Sequence, residues 1–407
     1  MEEEKPAVNP SDLWALWGLQ LAKAGPHCNL NNAALILEND STYKGRIYYD
    51  EFLQRVIRRN SPAREWTDSD DLEVTRHIQS LLGMPRMGRD SVSQAVVSIA
   101  HKNKRNCARE WLDSHEWDGT NRIDSFFSDY FNADESEYTS SASRNFWISM
   151  VARVYSPGCK VDNMIVLEGA QGVGKSTAMH IIGGEWFAEQ HESATNPKAF
   201  AEILQGKLLI EISEMDAFSR VEVNRVKQTV SCTSDRFRAS YGRHAADHPR
   251  TCIFVGTTNR DDWNRDETGA RRFWPVACRG AIHLGGIRDN RDQLFAESVA
   301  RHKAGEPHWL MPAETTTHEQ ESRYQADPWL DQITKALKGE SSITTAQLSE
   351  KLEIPIQRRD RATEMRIGAC LRFLRWERKR ERVSGTPEWV YRPTVGTVGT
   401  VGTENAQ

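Results

Sequence analysis

Gly169-Ala-Gln-Gly-Val-Gly-Lys175-Ser176 decides how this 407-residue chain is read. The octapeptide has the spacing G-x-x-x-x-G-K-S. It lies between the apolar run Met164-Ile-Val-Leu, whose length suits a buried strand, and the helix-compatible stretch Thr177 to Ile182. A strand, a glycine turn and a helix in that order aim backbone N–H groups and a helix N-terminus at one point, where phosphate oxygens are held. The reading makes Gly169, Ala170, Gln171, Gly172, Val173, Gly174, Lys175, Ser176 and Thr177 an ATP-binding segment. Lys175 sets a cation against the β- and γ-phosphates, and the Ser176 hydroxyl is the expected Mg2+ ligand.

Such a site also needs a carboxylate at the end of a neighbouring strand. Leu208-Leu-Ile-Glu211-Ile-Ser-Glu214 supplies two acids just past an apolar run. On an extended chain they point to opposite faces, and a turn beginning at Ile212 or Ser213 brings them together. Glu211 is assigned to the metal shell and Glu214 to the attacking water. A third run, Cys252-Ile-Phe-Val-Gly-Thr-Thr-Asn259, ends in a polar tip whose amide is placed to orient that water. Twelve residues later Arg271-Arg272 precede Phe273-Trp-Pro. Arginines exposed near a subunit boundary stabilise transition-state charge on a neighbour's nucleotide; the alternative is a salt bridge to Asp266 or Glu267. Between the acids and Asn259, a segment carries Arg236, Arg238 and Arg243 interleaved with Phe237 and Tyr241. Cations and aromatic rings on one projecting loop suit tracking of single-stranded DNA. A surface hairpin making intersubunit contacts is the plainer reading.

Strands alternating with helices predict an α/β P-loop NTPase core with a mostly parallel sheet over residues 156–312. Residues 1–155 read as a mixed, mainly helical region, with one β-unit at Gly45-Arg-Ile-Tyr-Tyr, a loop at Asn60-Ser-Pro and a helix start at Asp68-Ser-Asp-Asp. Residues 326–393 read as a winged-helix-like DNA-binding domain. A short helix from Ile343 and a second from Ala362 to Leu374 are followed by two β-like pieces around Ser384-Gly-Thr-Pro. Between Gln357 and Arg392 lie eleven Arg or Lys and five Asp or Glu, so this segment is net +6 inside a chain of net charge −4. That asymmetry marks a polyanion-binding module, here for double-stranded DNA, although a solvated helix face would look similar. Arg366 and Arg372 are placed to face a groove, and Arg378, Lys379 and Arg380 to lie against the backbone. The Val-Gly-Thr repeats of residues 394–407 are too small and polar to build a core and read as disordered.

Composition removes several classes. No window approaches the ~18 consecutive apolar residues that cross a bilayer, and the acidic start Met1-Glu-Glu-Glu lacks the basic-then-apolar pattern of a signal peptide. Membrane insertion and secretion are therefore disfavoured. The seven cysteines contain no C-x-x-C pair and are odd in number, so a disulfide scaffold and a zinc ribbon are disfavoured and a reducing compartment fits.

The run from Gly169 to Pro275 resembles the virulence-associated E family of phage and prophage ATPases, which are similar to superfamily 3 replicative helicases. The resemblance is carried by the glycine loop, Glu211-x-x-Glu214-Met-Asp, Asp235-Arg-Phe-Arg, Gly-Thr-Thr-Asn259 and Glu267-Thr-Gly-Ala-Arg-Arg-Phe-Trp-Pro-Val. Upstream, Trp111-Leu-Asp and Trp117-Asp-Gly-Thr-Asn-Arg-Ile-Asp also fit, and the likeness extends from near Asn29 to Val276. It implies an AAA+-like core, oligomeric rings and ATP hydrolysis, and a role in replicating phage or mobile-element DNA in the cytoplasm of a bacterial host. The hairpin from Arg236 to Arg243 would be the DNA-gripping loop. The chain departs from the pattern in two places. Its acids are not adjacent, and its first 150 residues show no primase signature, so priming would come from a separate primase or replication protein. Two other classes stay open. A P-loop small-molecule kinase leaves the arginine pair and the basic C-terminal segment unexplained. A nucleotide-gated DNA-binding or regulatory protein would use ATP only as an assembly switch.

Overall fold

A computed structural model describes residues 9–190, 197–215, 218, 220–237, 245–261, 263, 270–323, 328–383 and 386–394. Its centre is a sheet of five parallel strands: β1 (Met164–Glu168), β2 (Phe187–Gln190), β3 (Leu209–Ile212), β4 (Ile253–Thr258) and β5 (Phe273–Ala277). The spatial order is β5-β1-β4-β3-β2. β1, β3 and β4 are buried along their whole length, as continuous apolar runs in a covered parallel sheet should be. β5 and β2 form the two edges. Proline is tolerated at an edge, which fits Pro275 in β5.

The chain is thus mixed α/β, with a parallel sheet where the sequence predicts one. Helices Lys175–Gly183, Glu137–Tyr155 and Leu284–Lys303 pack with the sheet around Phe126, Phe127, Trp147, Ile165, Leu167, Ile182 and Phe295. Helix Glu137–Tyr155 is buried on nearly every side, so its apolar positions show no single stripe. Helix Cys107–Asp113 joins the same core, with the Trp111 ring edge-on to Trp186 and Phe295.

A second core lies nearer the N-terminus. Helices Leu30–Asn39, Asp68–Leu81 and Arg89–Lys102 close Ile36, Leu37, Val74, Ile78, Val92 and Val96 around Ile47. The strand Ile47–Asp50 coincides with the β-unit read from the sequence and belongs to a small four-stranded sheet. Helix Asp68–Leu81 starts at the acidic cluster. Its cap is Thr67, whose backbone N–H donates to Asp70 Oδ2 at 2.8 Å. Arg58 and Arg64 also donate to Asp70, and these bonds, with its own hydrogen bonds at the cap, hold its carboxyl well below the usual range against the opposing effect of burial.

Residues 330–393 form a third core of Ile333, Leu348, Ile367, Leu371, Trp376 and Tyr391. Three helices, Leu330–Ala336, Thr345–Lys351 and Arg361–Phe373, precede an antiparallel hairpin of Trp376–Val383 and Thr386–Pro393. Helix Ala313–Ser322 bridges to this unit along the β5 edge, where Gln320 Nε2 donates to the Phe273 carbonyl at 2.9 Å. No helix among the described residues is long and apolar enough to cross a membrane. The repeats from Val395 onward lie outside the described residues.

Candidate functional site

Every strand of the central sheet runs the same way, so the molecule has one edge where strands end and one where they begin. Residues at the first edge follow β1, β3 and β4; those at the second precede β4 and β5.

The glycine loop leaves the end of β1 and enters helix Lys175–Gly183. Gly169 has no room for a side chain, since a Cβ there would stand 2.7 Å from the Cys278 carbonyl oxygen. Gly174, the residue that opens the helix, has φ +103, a conformation other residues rarely adopt. The loop is tied on both sides. Cys278 N–H donates to Glu168 O at 2.6 Å, and Ile282 N–H to Val173 O at 3.0 Å. Lys175 is nearly buried, and its ammonium donates to Gly169 O (2.6 Å), Ala170 O (3.0 Å) and Asn259 Oδ1 (3.3 Å). The lysine and the asparagine picked from the sequence therefore meet at the loop.

The next pair also meets. Ser176 Oγ donates to Glu211 Oε1 at 2.6 Å, and Thr257 Oγ1 donates to the same oxygen at 2.7 Å. Glu211 is 0% exposed. A buried carboxylate is stabilised by such donors. The register explains the meeting: Glu211 sits opposite Val255, and β4 lies between the glycine-loop strand and the acidic strand. Thr257 was not legible as a site residue because a threonine in an apolar strand gives no signal.

Glu214 stands apart from this cluster. It is exposed, two residues beyond β3, with φ +54. The left-handed region costs a non-glycine residue about 1–3 kcal/mol and recurs at functional sites. The chain leaves its extended path here, but Glu214 stays exposed while Glu211 is buried.

Beside the loop opens a cleft of about 770 Å3, lined by Glu168, Gly169, Asn259, Arg260, Asp261, Ala277, Cys278, Arg279, Ser322 and Arg323. Its buried wall is an ion pair invisible to the sequence reading. Arg323 Nε donates to Glu168 Oε2 at 3.0 Å, and Trp263 Nε1 to Glu168 Oε1 at 2.7 Å. Burial pushes the Glu168 carboxyl up, against the lowering effect of both partners. Glu168 is the last residue of β1 and Arg323 follows helix Ala313–Ser322, so no local spacing could have linked them.

At the other edge, Arg271 and Arg272 lie in a 3-10 turn, Ala270–Arg272, just before β5. Phe273 pairs with Met164, the first residue of β1, and at about 3.3 Å per residue the five-residue strand separates this turn from the glycine loop by roughly 15 Å. Arg272 Nε donates to Ser231 Oγ at 2.8 Å, and Arg271 is exposed. Neither reaches its own chain's loop. The acids Asp266 and Glu267 lie outside the described residues.

The same edge carries the hairpin Ser234–Phe237 with Ala246–Pro249. Its base is locked by the buried Arg250, whose Nε donates to Asp235 Oδ2 at 2.6 Å, and by Gly158 N–H, which donates to Arg250 O at 2.8 Å. Arg236 is exposed and pairs with Asp247 at 3.2 Å. Arg238, Tyr241 and Arg243 lie outside the described residues. In the C-terminal unit, Arg372 is exposed, whereas the Arg366 guanidinium is half-buried 4.0 Å above the Trp329 ring. Arg378, Lys379 and Arg380 are exposed on the hairpin.

Fold and site together define an α/β protein whose polar cluster gathers around a glycine loop at the strand-ending edge of a parallel sheet. The sequence profile of the virulence-associated protein E-like domain matches residues 112–327, just over half of the chain, and the chain belongs to that family. Among solved structures, the apo structure of the NrS-1 C-terminal region (305–718) aligns with 89% of this chain and 99% of its own at 13% identity and a TM-score of 0.51. Its A form aligns with 86% of this chain and 96% of its own at 14% identity and a TM-score of 0.49. At such identities the first likeness speaks to the fold alone. No curated protein matches the sequence.

Proposed function

We propose that this protein is a P-loop ATPase of AAA+-like, superfamily 3 helicase-like build, acting as an oligomer, in ring form, on phage or mobile-element DNA during replication. The observation that carries the reading is the contact of Ser176 with Glu211, reinforced by Lys175 reaching Asn259. Two hard oxygen donors 2.6 Å apart beside a glycine loop suit Mg2+, which prefers carboxylate and hydroxyl oxygens. Ser176 and Glu211 would hold the ion, which when bound supplies charge neutralisation to ATP phosphates. Lys175 binds the β- and γ-phosphates. Glu214 holds and polarises the attacking water, which Asn259 orients. Arg271 and Arg272 serve the nucleotide of the adjacent subunit, a placement supported by their position at the opposite edge from their own loop. The C-terminal unit is read as a winged-helix-like duplex reader using Arg372 and the cations of its hairpin.

ATP turnover with and without single-stranded DNA tests the proposal. Stimulation by DNA, lost in Lys175→Ala and in Glu214→Gln while the latter still binds ATP, is the expected result. Binding of ATP and DNA with no turnover in the wild type would replace the hydrolase by a nucleotide-gated DNA-binding protein.

A further inference from the structure

The C-terminal hairpin holds an aromatic ring that the fold does not enclose. Its strands pair with Trp376 opposite Pro393, Arg378 opposite Tyr391 and Arg380 opposite Trp389. Directly opposed residues share a face, as do alternate residues along a strand. Trp376, Arg378, Arg380, Trp389 and Tyr391 therefore lie on one side of the ribbon. The near part of that face closes the core. Trp376 and Tyr391 are buried, and a Cβ at Gly368 would stand 2.8 Å from the Tyr391 hydroxyl, so helix Arg361–Phe373 packs against the hairpin at close range. The far part is different. Trp389 is 50% exposed, with the Arg378 guanidinium 4.3 Å and that of Arg380 6.0 Å from its ring centroid.

A half-exposed indole with two guanidinium groups beside its ring, on a segment of net charge +6, fits one occupant better than others. A duplex backbone would use the cations but not the ring, because paired bases are already stacked on each other. An apolar protein surface would use the ring but leave the cations desolvated. An unpaired base uses both, stacking on the indole while its phosphates meet the arginines.

We propose that Trp389, flanked by Arg378 and Arg380, holds an unpaired DNA base where single strand meets duplex. The proposal rests on reading the C-terminal unit as a DNA-contacting module and names the part of DNA it takes. The test is equilibrium binding of the full chain to a forked duplex and to a blunt duplex of the same sequence, with basal ATP turnover measured on the same samples. The wild type should prefer the fork. Trp389→Ala should weaken fork binding about tenfold, the scale of one lost base–aromatic stack, and leave blunt-duplex binding and thermal unfolding unchanged. Trp389→Phe should restore most of the preference. Equal fork binding by wild type and Trp389→Ala overturns the proposal, as does an equal loss on both DNAs. Loss of self-association with DNA binding intact assigns the ring to a subunit interface and likewise overturns it. If the wild type binds neither DNA yet hydrolyses ATP, the DNA role of the C-terminal unit falls and the ATPase reading stands.

Discussion

The two edges of the central sheet are built on opposite principles. Where the strands end, side chains are spent on one another: Ser176 and Thr257 on Glu211, Lys175 on Asn259 and the loop carbonyls, Arg323 and Trp263 on Glu168. Where they begin, Arg250 and Arg272 are likewise bonded within the chain, to Asp235 and Ser231, but Arg271 and Arg236 turn outward. Arg271 is exposed, and Arg236 pairs with an Asp247 that is itself exposed. A cluster bonded internally is pre-organised within one chain, whereas cations facing solvent acquire a role when something anionic is brought to them. The contrast fits the proposed function, in which the first edge holds the nucleotide and the second is completed from outside, by DNA or by a neighbouring subunit's phosphates.

The sharpest way to break this contrast is at the internally bonded edge. Lys175→Ala removes a charge-assisted donor set and should weaken ATP binding on the order of 100-fold, read by equilibrium titration. Glu214→Gln should cut turnover on the order of 100-fold or more with ATP affinity retained. Normal turnover in Glu214→Gln alongside a dead Glu211→Gln would reverse the roles given to the two acids.

Next in size comes the buried pair. Arg323→Met leaves Glu168 without its cation and should cost about 3 kcal/mol in unfolding free energy. The sign of its pH dependence follows from the Glu168 carboxyl, which burial already raises. Losing the arginine raises it further, so the ionised form becomes the destabilised one. The deficit should therefore shrink as pH falls below that raised value and grow as pH rises through it. Denaturation at pH 5 and pH 8 decides, and a deficit larger at pH 5 would contradict the assignment.

The smallest effect belongs to the outward-facing edge. Arg236→Ala should leave basal ATP turnover intact and reduce the salt dependence of single-strand binding by about 0.7 in the log–log slope, one phosphate contact's worth. An unchanged slope would take Arg236 out of the DNA surface.

How much of this was legible in the sequence depended on whether a residue's partner was local. β1, β3 and β4 announce themselves as apolar runs, and the loop, Glu211 and Asn259 stand at their ends. β2, Phe187-Ala-Glu-Gln, and β5, Phe273-Trp-Pro-Val-Ala, are edge strands whose polar residues or proline hide them. Helix Glu137–Tyr155 carries Ser141, Ser143 and Asn145 among its buried residues, so its pattern does not show that it joins the sheet's core. Arg366, read as a groove-facing cation, also lies over the Trp329 ring, a contact outside its helix that spacing does not show. The Glu168 and Arg323 pair joins two distant segments, and composition and spacing have no access to it.

Mixing two inactive variants tests the proposal that Arg271 and Arg272 complete a neighbour's nucleotide site. Lys175→Ala lacks the phosphate cation but keeps its arginines, and a chain with Arg271 and Arg272 both changed to Ala keeps an intact loop. Subunits shown to co-assemble should regain a measurable fraction of wild-type ATP turnover, because some interfaces pair an intact loop with intact arginines. Co-assembly with no recovered turnover would take Arg271 and Arg272 out of any shared site.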